Sequence, residues 1–486
     1  MSQLNRREML ERSMLAAAAA VTANSVPNLC LAQEGSSSSD VLRVVIVGCN
    51  GRGGEHINEW QKRQLGPKDA EIAAICDVDE VVGQRRCDSI EKATGKRPKF
   101  YQDLRKAYED KSIQVASIAT PNHWHALAAI WAIQAGKDVY VEKPVSHNVL
   151  EGRRIVQAAR KYNKIVQTGT QCRSMVGTIE AIKFIKDGGI GEVKLARGLC
   201  YKPRGAIGAK GNYDVPASVN YDIWLGPAPK RDLNRPKFHY DWHWQWDYGN
   251  GDLGNQGIHQ MDIARWGLGL SDLGTGVQSY GGRFGYEDAG ETANTQVCIH
   301  DFGDKRLVFE VRGLKTSPFM GAGVGVIFHG SDGYVSLNSY AGGVAFDKEG
   351  KETKKFNAGG DHFGNFVKAV RSRNYKDLNA DIEEGHLSSA LCHLGNISYR
   401  LGTPALAKEV QEKLGKDKEN QETFTRVTQH LTENKVDLET AKFGLGPALK
   451  LDGKNEVFIG ELADKANPML TREYRAPYVV PDEANL

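Results

Sequence analysis

Leu42-Arg43-Val44-Val45-Ile46-Val47-Gly48-Cys49-Asn50-Gly51-Arg52-Gly53-Gly54 decides the fold. Leu42–Val47 is a short apolar run broken only by Arg43, and glycines follow at once. Such a run reads as a strand buried on both faces. Glu55–Gln64 then has helical character. Gly48 can make the tight turn, and Gly53 or Gly54 lets the helix pack closely on the strand. The helix N-terminus offers unpaired N–H groups and a partial positive charge to a phosphate. Asn50 replaces the middle glycine of G-x-G-x-x-G, but Asn tolerates left-handed backbone, so the turn is expected to survive. Glu71–Cys76 is a second strand, closed by Asp77, where a carboxylate would accept the hydroxyls of an adenosine ribose and repel a 2′-phosphate. The loop is therefore expected to bind NAD in preference to NADP, through Gly48, Asn50, Gly51, Arg52, Gly53 and Asp77. The alternative is a helix-capping turn with no ligand.

Outward from the loop, helices and strands alternate. Val81–Thr94, Ala126–Ala135 and Gly152–Tyr162 read as helices, and Val115–Ala119, Asp138–Val141 and Ile165–Thr168 as strands. This alternation predicts a parallel sheet covered on both faces. Beyond Thr168 the texture changes. Val193–Tyr201, Val277–Tyr280, Thr295–His300, Arg306–Val311, Gly325–His329 and Tyr334–Leu337 read as strands, mostly without helices between them. The expected architecture is an α/β Rossmann domain over residues 41–168, then an α+β domain with a large, mainly antiparallel open sheet over 169–402. Residues 403–486 form a C-terminal extension. The segment Asp222–Gly257 reads as a Trp-, Gly- and Asp-rich loop.

The chain has 486 residues and a net charge of +3, which gives no case for a nucleic-acid partner. The eight cysteines include no Cys-x-x-Cys pair, and no metal site is expected. At the N-terminus, Arg6-Arg7 precedes the apolar run Met14–Val21, too short to span a bilayer. Residues 1–32 are expected to be a twin-arginine signal and 33–40 a linker. The mature protein is then exported folded to the periplasm or another extracytoplasmic compartment, with no stable membrane insertion.

Four motifs occur in order: the glycine loop, Ala119-Thr120-Pro121-Asn122-His123-Trp124-His125, Glu142-Lys143-Pro144, and Gly257-Ile258-His259-Gln260-Met261-Asp262. Over roughly residues 41–402 they resemble the glucose–fructose oxidoreductase/inositol dehydrogenase (Gfo/Idh/MocA) family. The resemblance implies a hydride-transferring enzyme of sugars or cyclitols, often oligomeric through its open sheet. It adds Thr120, Pro121, Asn122, His125, Glu142 and Lys143 to the cofactor contacts, although His123 and His125 could instead cap a helix. Lys143 ends a strand, and partial desolvation there would lower its pKa toward proton exchange. The resemblance makes Lys143 and His259 the catalytic pair. His259 and Asp262, three residues apart, would share a helix face. Asn255 stands where many members carry an Asp, which puts the usual proton relay in doubt. Trp242 and Trp244, on one face if extended, join Arg173, Asn255, His259 and Asp262 as expected substrate contacts.

Export and a dinucleotide constrain each other. Free NAD is scarce outside the inner membrane, so a resident, tightly bound cofactor is expected. Three functions follow: a carbohydrate oxidoreductase, a redox-cycling NAD-dependent glycoside hydrolase or lyase, or a non-catalytic sugar-binding protein.

Overall fold

In the computed structural model, which describes residues 41–486, Leu42–Val47 (β1) is a central strand of a six-stranded sheet. The twin-arginine signal and the linker lie outside the described residues. The other strands are β2 (Ala70–Cys76), β3 (Lys99–Tyr101), β4 (Val115–Ile118), β5 (Asp138–Val141) and β6 (Val166–Thr168). Their order is β3-β2-β1-β4-β5-β6, with every neighbouring pair parallel. Chain progression reverses between β1 and β4, which opens a crevice at the carboxyl ends of the strands.

Alternate residues of β1 serve two cores. Val45 and Val47 pack with Ala116, Val139 and Val141 under the helices Asn122–Gln134 and Val149–Lys161. Val44 and Ile46 pack on the other face with Ile57 and Trp60 of the helix Arg52–Leu65. That second face is completed from far along the chain. Phe363, Phe366 and Val367 of the helix His362–Ser372 join it, and Phe363 stacks on Tyr140 at 4.4 Å. Fully burying each such side chain contributes roughly 2–3 kcal/mol.

The second sheet has twelve strands. They are β7 (Val193–Tyr201), β8 (Gly276–Gly282), β9 (Thr295–Phe302), β10 (Lys305–Arg312), β11 (Val324–Gly330), β12 (Gly333–Ser339), β13 (Gly342–Asp347), β14 (Glu352–Asn357), β15 (Thr403–Ala405), β16 (Phe443–Leu445), β17 (Leu449–Asp452) and β18 (Val457–Ile459). Only β7 with β10 is parallel among the named pairings, so the sheet is mixed and mainly antiparallel. The helices Gly257–Leu268 and Ile382–Arg400 supply its main core. Residues beyond 402 add β15–β18. Their helices also cover Tyr280, Val297, Ile299 and Val308 with Val410, Phe424, Val427 and Leu431.

The stretch Asp222–Gly257 is more structured than a loop. It holds most of a short helix, Tyr221–Leu225, a tight 3₁₀ turn, Asp241–Trp244, and a second short helix, Gly251–Asn255. The 3₁₀ turn corrects the extended reading. At three residues per turn, positions two apart point in different directions. Trp242 therefore faces a cavity, whereas Trp244 is buried against Ile207 and Ala289.

Candidate functional site

The glycine loop makes the turn its sequence requires. Gly48 has φ +78°, and a Cβ there would lie 2.8 Å from the carbonyl oxygen of Ala119. Gly53 brings the helix onto the turn so closely that a Cβ would lie 1.9 Å from the Gly48 oxygen. Gly51 also has φ +48°, and around it a Cβ would meet no atom within 4 Å. That open space in front of the helix N-terminus fits a pyrophosphate. Asn50 is not among the positive-φ residues, so its left-handed tolerance is not used; Gly51, next to it, takes the turn.

Asp77 sits beside the loop. Its carboxylate accepts from the backbone N–H groups of Cys49 at 2.8 Å and Asp79 at 3.0 Å. Burial pushes this carboxyl up, and the two backbone donors oppose that shift. The residue lines a cavity of about 340 Å³ that opens over the crevice between β1 and β4. Gly48, Asn50, Gly51, Arg52, Thr120, Pro121, Asn122, His125, Glu142, Lys143, Trp242 and Asn255 line it too, so most of the expected residues converge there. The volume lies in the range of small-molecule sites.

At the strand ends the electrostatics are specific. Glu142 accepts from Arg52 Nε at 2.7 Å and contacts His56 Nε2 at 3.1 Å. Burial opposes its charge, but Arg52 and His56 hold its carboxyl well below the usual carboxylate range. Lys143 Nζ donates to the backbone carbonyl of Asn255 at 2.8 Å. Burial lowers the Lys143 ammonium below the ordinary lysine value, while Glu142 opposes the shift. His125 contacts two carbonyls through its ring, Pro144 at 2.6 Å and Thr120 at 2.8 Å. It thereby ties the two strand ends together.

His123 and Trp124 do different work. His123 Nε2 lies 2.9 Å from the carbonyl of Trp224, and Trp124 Nε1 donates to Ile223 at 2.9 Å. Both thus cap the C-terminus of the helix Tyr221–Leu225, across the crevice. Burial pushes His123 down to about 3, so its ring is neutral.

The second domain supplies the opposite wall, through Ile223, Trp224, His239, Tyr240, Trp242 and His243. None of these except Trp242 stood out as a site residue in the sequence, although His239, Tyr240 and His243 fall within its unusual aromatic stretch. His239 Nε2 lies 3.0 Å from Asp79 Oδ2, and the backbones of Asn220 and Val78 are joined at 2.9 Å. These contacts bring the wall down over the Asp77 end of the cavity.

The structure does not bring Arg173, Trp244, Asp262 or His259 into the cavity lining, and Gly53 serves packing instead. Arg173 and Asp262 hold each other, with Nε and Nη2 of Arg173 at 2.8 and 2.9 Å from the carboxylate. Ser388, the half-buried Glu384 and the buried Arg265 extend that network. This buried ion pair turns the Nε and Nη2 edge of Arg173 toward Asp262 and Glu384, away from the cavity lining. His259 is buried beside Tyr340, ring centroids 5.0 Å apart, and its Nδ1 has no hydrogen-bond partner. Burial, reinforced by the Lys143 charge, holds its imidazole well below the usual range.

A parallel sheet in this order, with a glycine turn at the switch point, defines a dinucleotide-binding Rossmann architecture. Residues 42–170 match the family model described as oxidoreductase family, NAD-binding Rossmann fold, and residues 205–277 match that described as oxidoreductase family, C-terminal alpha/beta domain. Over these two segments the chain is similar to the Gfo/Idh/MocA oxidoreductase family. A glycosyl hydrolase family 109 protein of Shewanella baltica is 30% identical over 181 residues, 34% of this chain and 39% of that protein. The inositol 2-dehydrogenase of Salmonella paratyphi B is 29% identical over 161 residues, 33% of this chain and 46% of that one. The matches thus span less than half the length of these curated relatives. The WlbA dehydrogenase of Chromobacterium violaceum, solved with NADH and UDP-GlcNAcA, shares the fold with a TM-score of 0.56 at 19% identity, over 74% of this chain and 95% of that one.

Proposed function

We propose that this chain is an exported oxidoreductase that oxidises or reduces a sugar or cyclitol at a CH–OH group, with NAD resident in the cavity. The observation that carries this reading is the placement of Lys143 in the same cavity as the glycine turn and Asp77. Bound NAD supplies the hydride acceptor. Gly48–Gly53 and the helix behind them would hold its pyrophosphate, and Asp77 would accept the ribose hydroxyls. A 2′-phosphate would meet the Asp77 charge, which favours NAD over NADP. Lys143, fixed by the Asn255 carbonyl, would hold the reacting hydroxyl and take or return its proton.

The twin arginines support export, and export supports a cofactor that stays bound. Two observations favour a second reading, the redox-cycling glycoside hydrolase or lyase. One is the likeness to glycosyl hydrolase family 109 proteins. The other is Asn255, which meets Lys143 with a backbone carbonyl where an acidic side chain would act as a relay.

One experiment separates the readings. Protein purified without added nucleotide is denatured and its supernatant analysed, then folded protein is incubated with a carbohydrate panel. NAD in the supernatant with a keto-sugar or lactone product supports the first reading. A released aglycone without net redox change supports the second. Folded, active protein that yields no nucleotide refutes the resident cofactor.

A further inference from the structure

Residues 472–486 lie outside both family-model matches, yet they return to the cavity wall. The wall is built on the helix Tyr221–Leu225, which at five residues is too short to hold itself. Its last carbonyls need donors from elsewhere. From Asp222 to Gly226 each carbonyl oxygen has one. Trp124 and His123 take those of Ile223 and Trp224. The Ala228 N–H takes that of Leu225. Arg475 takes the remaining one, that of Gly226, through Nε at 3.0 Å, and its Nη2 joins the Gly226 N–H (3.1 Å) on the Asp222 carbonyl at 2.6 Å. The same guanidinium reaches the Asp222 carboxylate through Nη1 at 2.6 Å, and Tyr478 donates to the other carboxylate oxygen at 3.2 Å.

The strap is anchored on both sides of this clamp. Arg472 donates to the Asp247 carbonyl at 2.9 Å, just beyond the Trp242–His243 part of the wall. Tyr478 packs edge-on to Trp124 at 5.5 Å, and Val480 and Leu486 enter the core of the parallel sheet. Lys161 donates to the terminal oxygen of Leu486. Arg475 therefore joins the tail to the wall, and the tail is fixed to the nucleotide domain.

We infer that the C-terminal strap, Arg472–Leu486, is a working part of the nucleotide site, and that Arg475 is a positioning residue that keeps Ile223 and Trp224 closed over the bound dinucleotide. The inference rests on the nucleotide reading above. A flat, forked guanidinium suits this post because two carbonyls and a carboxylate must be met at once. A lysine could meet only part of the set. Opening the wall then requires loss of the Arg475 contacts, so the strap sets the rate at which nucleotide leaves.

The test loads the full chain with radiolabelled NAD and follows its release into excess unlabelled NAD, alongside thermal unfolding. Arg475→Ala is expected to release nucleotide at least tenfold faster, with Arg475→Lys intermediate. Lys183→Gln, which loosens only the exposed pair with Asp187, far along the chain from the strap, serves as the comparison and should release at the wild-type rate. A purely structural role would lower the thermal midpoint without changing release from folded protein. Wild-type release by Arg475→Ala overturns the inference. If that variant does not fold, Arg475→Lys and Asp222→Asn decide: release at least threefold faster in either supports the strap, and wild-type release in both overturns it. Wild-type protein that takes up no NAD refutes the nucleotide reading itself, a result visible before any variant is made.

Discussion

Glu151 is a fully buried carboxyl at the start of the helix Val149–Lys161, and it should make this protein less stable as the pH rises through neutrality. It accepts from the His147 N–H at 2.8 Å and from Asn148 Nδ2 at 2.9 Å, yet burial dominates and pushes it from 4.5 up to about 7. Between those values the folded chain keeps a proton that the unfolded chain has lost. Each pH unit in that window costs about 1.4 kcal/mol of stability. The contribution is complete below pH 4.5, declines as the pH rises, and is lost above pH 7, a total of about 3 kcal/mol. Glu151→Gln removes this titration. The amide oxygen can keep one of the two hydrogen bonds, so the variant gives up about 1 kcal/mol. It should therefore be slightly less stable than wild type at pH 5 and about 2 kcal/mol more stable at pH 8. Urea unfolding of both proteins at the two pH values measures this, because the pH dependence of all other groups cancels in the difference. A stability difference that stays constant from pH 5 to pH 8 would refute the claim that Glu151 is held neutral.

Gly53→Ala places a Cβ 1.9 Å from the Gly48 oxygen, so the turn must move; NAD affinity should fall at least tenfold and stability by about 1–3 kcal/mol, read by calorimetry and denaturation. Lys143→Ala should retain bound nucleotide while turnover falls at least a hundredfold, the scale of a lost general acid or base; unchanged turnover would remove Lys143 from the chemistry. Arg173→Met removes the two-pronged partner of buried Asp262, leaving it the Ser388 hydroxyl and Arg265 at 4.0 Å, and should cost about 3 kcal/mol in urea unfolding, with nucleotide affinity of the folded fraction unchanged. Asp77→Ala should weaken NAD more than NADP, and equal losses for the two would refute the ribose assignment.

The glycine turn, Asp77 and Lys143 were legible because each belongs to a local pattern of strand, turn and helix. The parallel sheet followed from alternating runs whose periods differ. Other parts obey no local rule. β14 is Glu-Thr-Lys-Lys-Phe-Asn, polar because it is a sheet edge with five of its six residues exposed, and lysines there discourage further pairing. The helix Tyr221–Leu225 exists through contacts made from His123, Trp124 and Arg475, distant in sequence. Spacing correctly placed His259 and Asp262 on one helix, but it could not show that Arg173 neutralises Asp262. The aromatic stretch was visible as unusual. Its 3₁₀ turn, which divides Trp242 from Trp244, was not.

The helix His362–Ser372 closes one face of the parallel sheet from a position almost two hundred residues downstream of β6. The nucleotide domain is therefore not a detachable cassette. A fragment ending at Thr168 would present Trp60 and Tyr140 to water where Phe363 and Phe366 now lie. Any chimera that exchanges this domain must carry the returning helix with it, or the graft inherits half a core.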